Sequence, residues 1–247
     1  MPDVKRRSRA SRPTRIVAAL VVAASLLAGG TLVAASAPAV RGKLSGWDKL
    51  VPPLYADAAK SDSHRYTWRE PSPTVKQDFR KLSANVSRDV CVVAFGSGTA
   101  AAHEPIAVKV TGGRLTPSTI ALSVGSRLSF KNVDPFPHVL FEAGNDKWGP
   151  NPTGPGSTRE WAATAPGLHT IRDQLFPSIV MYVLVDPAAV EFAMPDHDGA
   201  FSLPVPPGEY ALKVFFEGKQ VGKEEGLRVS ERGLDLKEPI ALVGDSK

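Results

Sequence analysis

The chain contains a single cysteine, Cys91, among its 247 residues. One cysteine cannot form an internal disulfide, so burial and hydrogen bonding must hold the folded part together. Cys91 lies in the continuous apolar run Val90–Phe95, which offers no cation to lower the pKa of the thiol. We therefore predict that it behaves as a small apolar residue on a buried strand and not as a reactive group.

Positive charge is scarce beyond the N terminus. Six basic residues and one acidic residue in positions 1–15 account for the whole formal net charge of +5, so the remainder of the chain is formally neutral. A neutral folded part lacks the basic stripe that neutralises phosphates, which excludes nucleic-acid binding. The sequence also lacks a serine nucleophile elbow and an HExxH zinc motif, and we expect no enzyme.

The basic leader is followed by residues 16–40, which contain no charged side chain. This order is typical of a secretory signal or an N-terminal membrane anchor. Small residues at 35–37 and 37–39 offer cleavage sites, whereas 25 uncharged residues exceed the roughly 20 needed to span a bilayer. We predict export, with residues 1–40 either removed in the periplasm or retained as an anchor helix that leaves the protein facing the periplasm.

Residues 41–85 show neither helical nor strand periodicity, and we interpret them as an extended linker or arm. Alternating apolar and polar residues in 106–110 and 120–130 instead predict strands of a β-sandwich. Residues 143–158 are rich in Gly, Pro and Asn, which predicts a long surface loop carrying Trp148. The expected fold class is all-β.

The last sixty residues contain two short motifs around a proline turn, Asp198-Gly199-Ala200-Phe201 and Pro206-Pro207-Gly208-Glu209-Tyr210. They resemble the carboxypeptidase-regulatory, transthyretin-like domain, in which a DG-x-F strand precedes a PPG-x-Y strand. The resemblance implies a small transthyretin-like β-sandwich at 187–247. Because such domains begin with an apolar strand, we predict that residues 86–98 supply it and that a second domain, 104–186, is inserted into the first.

Residues 104–186 carry the motif that points to chemistry. Asn132 and Asp134 precede His138, and Pro166-Gly167 opens a strand that leads to Asp173. This pattern resembles the cupredoxin family, and with the C-terminal unit it resembles exported plastocyanin-like proteins of the methylamine-utilisation type. The resemblance implies a Greek-key β-sandwich, a copper site and single-electron transfer in the cell envelope.

Most copper ligands of that family are replaced here. The resemblance implies a cysteine, a histidine and a methionine at positions that hold Asp173, Phe176 and Ile179. A carboxylate is a hard ligand, and phenylalanine and isoleucine donate nothing. We therefore predict no bound metal or cofactor, with His138 paired to Asp173 directly or through water and Phe176 and Ile179 filling the vacated volume. A harder copper set completed by Glu142 stays open as an alternative.

The remaining histidines do not add ligands. His169 shares a strand face with Asp173 but lies about 13 Å away at strand rise, and His64, His103 and His197 are expected at the surface. An apolar end is expected from four aromatic residues: Phe136, Phe141, Trp148 and Phe176. Either these rings form a surface that docks a protein partner in the cell envelope, or they are all core.

These observations favour a non-catalytic binding or assembly module of the cell envelope. One alternative is a periplasmic electron-transfer protein that holds copper through atypical ligands. A second alternative is a carbohydrate- or cell-wall-binding module, because transthyretin-like sandwiches often accompany polysaccharide enzymes.

Overall fold

A computed structural model of the chain describes residues 37–52, 83–97 and 104–242. The predicted signal or anchor, up to residue 36, and residues 53–82 of the predicted arm lie outside the described residues. In the part that is described, no helix is both long enough and apolar enough to cross a membrane.

The described residues form strands and a few short helical turns, which confirms the predicted all-β class. The strands are β1 (Ala39–Ser45), β2 (Val90–Phe95), β3 (Ile106–Thr111), β4 (Arg114–Thr116), β5 (Thr119–Leu122), β6 (Arg127–Asn132), β7 (His138–Glu142), β8 (Asn151–Thr153), β9 (Thr158–Ala162), β10 (Gly167–Asp173), β11 (Val180–Val185), β12 (Ala189–Ala193), β13 (Ala200–Pro204), β14 (Gly208–Phe216), β15 (Lys219–Val229), β16 (Leu234–Asp235) and β17 (Ile240–Ala241). Helical turns lie at Trp47–Lys49, Val86–Asp89 and Asp146–Trp148.

Strands β3 to β11 build a cupredoxin-like sandwich of two sheets. Sheet I has the order β4-β3-β6-β9, and sheet II has the order β5-β11-β10-β7-β8. The pairs β3 with β6 and β5 with β11 are parallel, and the other pairs are antiparallel. Alternate residues of each strand point inward, so that Val108 and Phe130 of sheet I meet the buried side chains Leu140 and Ile171 of sheet II.

The remaining strands build a second sandwich. Sheet III has the order β12-β2-β14-β15, and sheet IV joins β13, β1 and β16, with β17 also paired to β1. Strand β2 lies between β12 and β14, so the chain leaves sheet III after β2, forms the whole cupredoxin-like sandwich and returns to sheet III at β12. Residues 90–95 therefore belong to the same sheet as the C-terminal strands.

Sheet III is buried on both faces along β2. Cys91 and Val93 belong to the core shared with the cupredoxin-like sandwich, and Val92 and Ala94 belong to the core against sheet IV. Strand β5 of sheet II contacts β2, β12 and β14. Burial on two faces is the physical reason for the unbroken apolar run, because neither set of alternate side chains meets water.

The C-terminal motifs close the turns of the second sandwich. The Tyr210 hydroxyl donates to the carbonyl of Pro206 at 2.9 Å, which ties the proline turn to β14. The Asp196 carboxylate accepts the backbone N–H groups of Asp198 and Ala200 at 2.9 and 2.8 Å. These two hydrogen bonds stabilise a β-turn that ends at Gly199.

One boundary predicted from the sequence is wrong. Residues 41–45 are not linker, because they belong to β1, which runs antiparallel to β13 and buries Val40 and Leu44 completely. The N–H of Ala84 donates to the carbonyl of Leu50 at 2.7 Å, so the two ends of the interval 53–82 meet on the folded body.

The predicted surface loop 143–158 is also partly ordered structure. Its residues 151–153 form β8, which pairs with β7. Trp148 packs on Phe130 with ring centroids 5.6 Å apart, and the guanidinium of Arg159 lies 3.8 Å above the Trp148 ring. The indole is thus half-buried between the sandwich and an arginine.

Burial determines the reactivity of Cys91. The residue has no exposed surface, and desolvation raises the pKa of its thiol to about 12. We expect no labelling of the native full chain by a thiolate-directed alkylating reagent at pH 8, and one equivalent of label in denaturant. Mass spectrometry measures both. Rapid stoichiometric labelling without denaturant would contradict the burial of β2 on both faces.

Candidate functional site

The first half of the site is a loop fixed by Asn132. Its side-chain N–H groups donate to the carbonyls of Phe136 and Thr153, both at 2.9 Å, and its oxygen accepts the N–H of Asp134 at 2.9 Å. Asn132 has no exposed surface, so these three bonds satisfy a buried amide. They set the path of the chain from the end of β6 to His138 at the start of β7.

His138 is fully buried between two carboxylates. Its Nδ1 lies 2.7 Å from Oδ2 of Asp173, and its Nε2 lies 3.1 Å from Oδ2 of Asp134. The direct pairing with Asp173 is the one expected from the sequence, whereas the contact with Asp134 was not foreseen. A neutral imidazole donates from one nitrogen only, so both contacts are hydrogen bonds when the ring carries two protons.

Each carboxylate also holds a second piece of backbone. The other oxygen of Asp173 accepts the N–H groups of Leu175 and Phe176 at 2.7 and 3.1 Å. Asp134 accepts the N–H groups of Gly112 and Gly113 at 2.7 and 3.3 Å. His138 therefore links the β3–β4 turn, the β6–β7 loop and the β10–β11 loop.

The pKa of Asp134 reflects these contacts. Its burial by itself would raise the pKa, but the hydrogen bonds from Gly112 and Gly113 and the interaction with His138 outweigh it and leave the pKa below its ordinary value. The carboxylate is thus the stable form in the folded protein near neutral pH.

Two phenyl rings cover this network. The ring centroids of His138 lie 5.3 Å from those of Phe136 and 5.0 Å from those of Phe176, and the two phenyl rings are 5.2 Å apart. Ile179 is buried beside the same loop, with 1% of its surface exposed. Two of the positions that the cupredoxin resemblance assigns to copper ligands are thus occupied by the packed hydrocarbon side chains of Phe176 and Ile179.

The two loops that carry these phenyl rings also expose apolar side chains. Val133 is 56% exposed, Phe136 38% and Leu175 53%, and Phe176 is half-buried and packs on Phe136. We call these four residues the apical patch. Val133 and Leu175 were missed in the sequence because a single apolar residue in a loop carries no periodicity.

Two of the four residues predicted for a partner surface do not belong to this patch. Phe141 is an odd-numbered position of β7, whose buried face carries His138, Leu140 and Glu142, so its side chain points to the other face of sheet II. Trp148 packs on Phe130, away from the contact between the two phenyl rings. The structure brings only Phe136 and Phe176 together.

A second buried network closes the other end of β7. Oε1 of Glu142 lies 2.6 Å from Nδ1 of His169, and its Oε2 accepts N–H groups from Trp161 at 2.7 Å and Asn145 at 2.8 Å. Burial would raise the pKa of Glu142, but these donors outweigh it and lower the pKa. The sequence pattern did not predict this network.

Glu142 cannot complete a metal set around His138. The two residues lie on the same face of β7 with Leu140 between them, which separates them by about 13 Å. Glu142 is occupied by His169 instead.

The donors near His138 do not fit a type 1 copper site. Such a site needs two imidazoles and a thiolate, whereas this one offers one imidazole with a carboxylate on each ring nitrogen. Cys91 lies in sheet III against the backbone of Ala121, and Met181 lies opposite Ile171 on β10. Within residues 37–52, 83–97 and 104–242, no cluster of three or more His, Cys, Asp or Glu side chains is arranged to hold a metal ion.

No protein-family model and no curated protein matches the chain. Among solved structures, an oxidised proline-to-glycine mutant of amicyanin is 16% identical with a TM-score of 0.31, over 38% of this chain and 92% of that chain. The purple cupredoxin of Nitrosopumilus maritimus is 17% identical with a TM-score of 0.28, over 33% of this chain and 99% of its own. A copper-containing nitrite reductase of Thermus scotoductus is 20% identical with a TM-score of 0.30, over 38% of this chain and 25% of its own. The strand order of residues 106–185, and not these similarities, supports the description as cupredoxin-like.

Replacing Asp173 tests how much the buried pairing stabilises the fold. We expect Asp173→Ala to lower the free energy of unfolding by about 3 kcal/mol, because it leaves a buried imidazole and two backbone N–H groups without their acceptor. Urea denaturation followed by tryptophan fluorescence measures the loss. Asp235→Ala, which removes an exposed carboxylate 3.5 Å from Arg41, is the control and should change little. Equal losses in both variants would contradict a special role for the pair.

Proposed function

We propose that the protein is a non-catalytic binding or assembly module of the cell envelope, which docks a protein partner through the apical patch. The observation that carries this proposal is the pairing of His138 with two carboxylates directly beneath exposed apolar residues. A copper site would use this imidazole as a ligand. In this protein it supports the apical patch instead.

The composition of the patch favours a protein partner. Val133, Phe136 and Leu175 are each more than one third exposed, and they lie on two loops that meet where Phe136 packs on Phe176. Grouped exposed apolar residues on a soluble domain commonly mark interaction sites, whereas isolated ones do not. An aromatic residue near the middle of such a group is the kind of side chain that dominates interface energies.

The patch is also held in place before any partner arrives. Asp173 fixes the backbone of Leu175 and Phe176, and Asn132 fixes the carbonyl of Phe136. A surface whose backbone is already ordered loses less conformational entropy on binding than a flexible loop does. This preorganisation supports a docking role and needs no chemistry at His138.

The cell-envelope location rests on the N-terminal sequence. A basic leader followed by 25 uncharged residues supports export, with cleavage or retention of the segment both compatible with the proposal. Similarly, the DG-x-F and PPG-x-Y motifs support a transthyretin-like origin for the second sandwich, which would serve as the scaffold on which the cupredoxin-like sandwich is inserted.

Copper titration separates the proposed function from electron transfer. We expect the purified full chain, titrated with Cu(II) and with Cu(I), to show no intense blue absorption band and no tight stoichiometric uptake, because no thiolate stands beside His138. Absorption spectroscopy and competition with a chromophoric chelator measure the two forms. A blue charge-transfer band at one equivalent of copper would replace the proposal with a redox function.

Site-specific photo-crosslinking in cells tests the docking surface. We expect a crosslinker at position 175 to yield a discrete protein adduct that Phe136→Ser removes and that persists at raised ionic strength, since apolar contacts are not screened by salt. The matched control is position 124, because Val124 is 43% exposed and lies before β6, at the opposite end of that strand from Val133. Equal adducts from both positions, or none from 175, would contradict the proposal.

A further inference from the structure

The tip of the β14–β15 hairpin has an unusual residue in its turn. Glu217 and Gly218 form a two-residue connection, and both have positive φ angles, 51° and 74°. Such turns favour Asn, Asp and Gly, because other side chains crowd the backbone at positive φ. Among the described residues Glu217 is the one non-glycine with a positive φ. A side chain that departs from the local preference often has a role outside the turn.

This hairpin tip lies against the cupredoxin-like sandwich. The N–H of Glu217 donates to the hydroxyl of Thr119 in β5 at 3.0 Å. A Cβ atom added to Gly218 would lie 2.6 Å from Leu168 of β10 and 3.3 Å from Tyr182 of β11. The second sandwich therefore touches three strands of sheet II through a turn that has no room for a larger residue.

A buried carboxylate lies near the tip. Asp89 is 4% exposed and accepts hydrogen bonds from the N–H of Asn85, from Nε and Nη2 of Arg88 and from the hydroxyl of Ser118, all between 2.6 and 2.8 Å. It is therefore well compensated as an anion. In the part of the chain that the structure describes, the half-buried carboxyl of Glu217 has no such hydrogen-bond or ion-pair partner.

Charged and titratable groups on several neighbouring elements act on Glu217 and on Tyr182. Burial raises its pKa to about 7, the negative charge of Asp89 acts in the same direction, and Lys219 opposes them. Burial and the charge of Glu217 raise the pKa of Tyr182, and Arg172 opposes that shift. The pKa of Tyr182 therefore depends on whether Glu217 is ionised.

We propose that the carboxyl of Glu217 is a pH-sensitive latch between the two sandwiches. When it is protonated, the hairpin tip rests on β5, β10 and β11. When it is ionised, an unpaired negative charge beside Asp89 weakens that contact, and the tip opens more often.

The direction of the pH effect follows from the raised pKa. Below pH 4.5, the ordinary pKa of a glutamate, docked and opened tips are both protonated and docking is at its strongest. Between pH 4.5 and about pH 7 the carboxyl of Glu217 stays protonated while the tip is docked and releases its proton when the tip opens. Docking therefore weakens as the pH rises through this range. Between pH 6 and pH 8 the opening equilibrium should increase by up to about tenfold.

Hydrogen exchange on the full chain tests the latch. After correction for the intrinsic pH dependence of exchange, we expect amides in residues 214–221 of the wild type to open several-fold more often at pH 8 than at pH 6. Glu217→Gln should remove this difference and leave the tip at pH 8 at least as protected as the wild type is at pH 6. Glu209→Gln, an exposed carboxylate on the same strand β14, is the matched control and should keep the wild-type behaviour.

A second readout covers the case in which the variant does not fold. Carboxyl resonances of the wild type, followed by carbon NMR, should show Glu217 titrating near 7, and in a folded Glu217→Gln variant the pKa of Tyr182 should fall. A Glu217 carboxyl that titrates at its ordinary value would overturn the latch. The same applies if wild type and Glu217→Gln show equal pH dependence at residues 214–221.

Discussion

The burial of strand β2 on both of its faces is the constraint on which the rest of the molecule depends. Cys91 and Val93 pack toward the cupredoxin-like sandwich, and Val92 and Ala94 pack toward sheet IV, so one strand contributes to two cores. The chain leaves sheet III after this strand and returns beside it at β12, which fixes both ends of the inserted sandwich. An insertion held at two adjacent strands cannot rotate freely. The contacts of β5 with sheet III and of the hairpin tip with sheet II also join the two sandwiches.

Buried polar groups play a structural role at both ends of β7. His138 is placed between Asp134 and Asp173, and Glu142 is placed between His169, Trp161 and Asn145. Each network satisfies ionisable groups that would be costly to bury alone, and each joins chain segments of both sheets. They differ at the surface, because the loops around His138 expose three large apolar residues, Val133, Phe136 and Leu175, whereas Leu168 is the exposed one next in sequence to His169. That difference is why the proposed docking surface lies at this end.

The departures from the predicted organisation share one cause. Residues 41–45 have no strand periodicity of their own, and they form β1 because β13, β16 and β17, more than 150 residues later in the chain, supply its partners. Residues 151–153 join sheet II in the same way, through a Gly- and Pro-rich segment that contains no strand pattern. Short edge strands depend on the backbone groups that a neighbouring strand presents, and the local sequence does not contain that information.

The local sequence accounts for the all-β class, the continuous apolar strand at 90–95 and the absence of a sulfur or imidazole donor at Asp173, Phe176 and Ile179. These properties follow from side-chain chemistry and local periodicity, which need no knowledge of distant residues. Tertiary packing makes Asp134 the second partner of His138, pairs Glu142 with His169 and brings Phe136 against Phe176. It also decided that Glu217 lies near Asp89, because two carboxylates separated by most of the chain affect each other only after the sheets have packed.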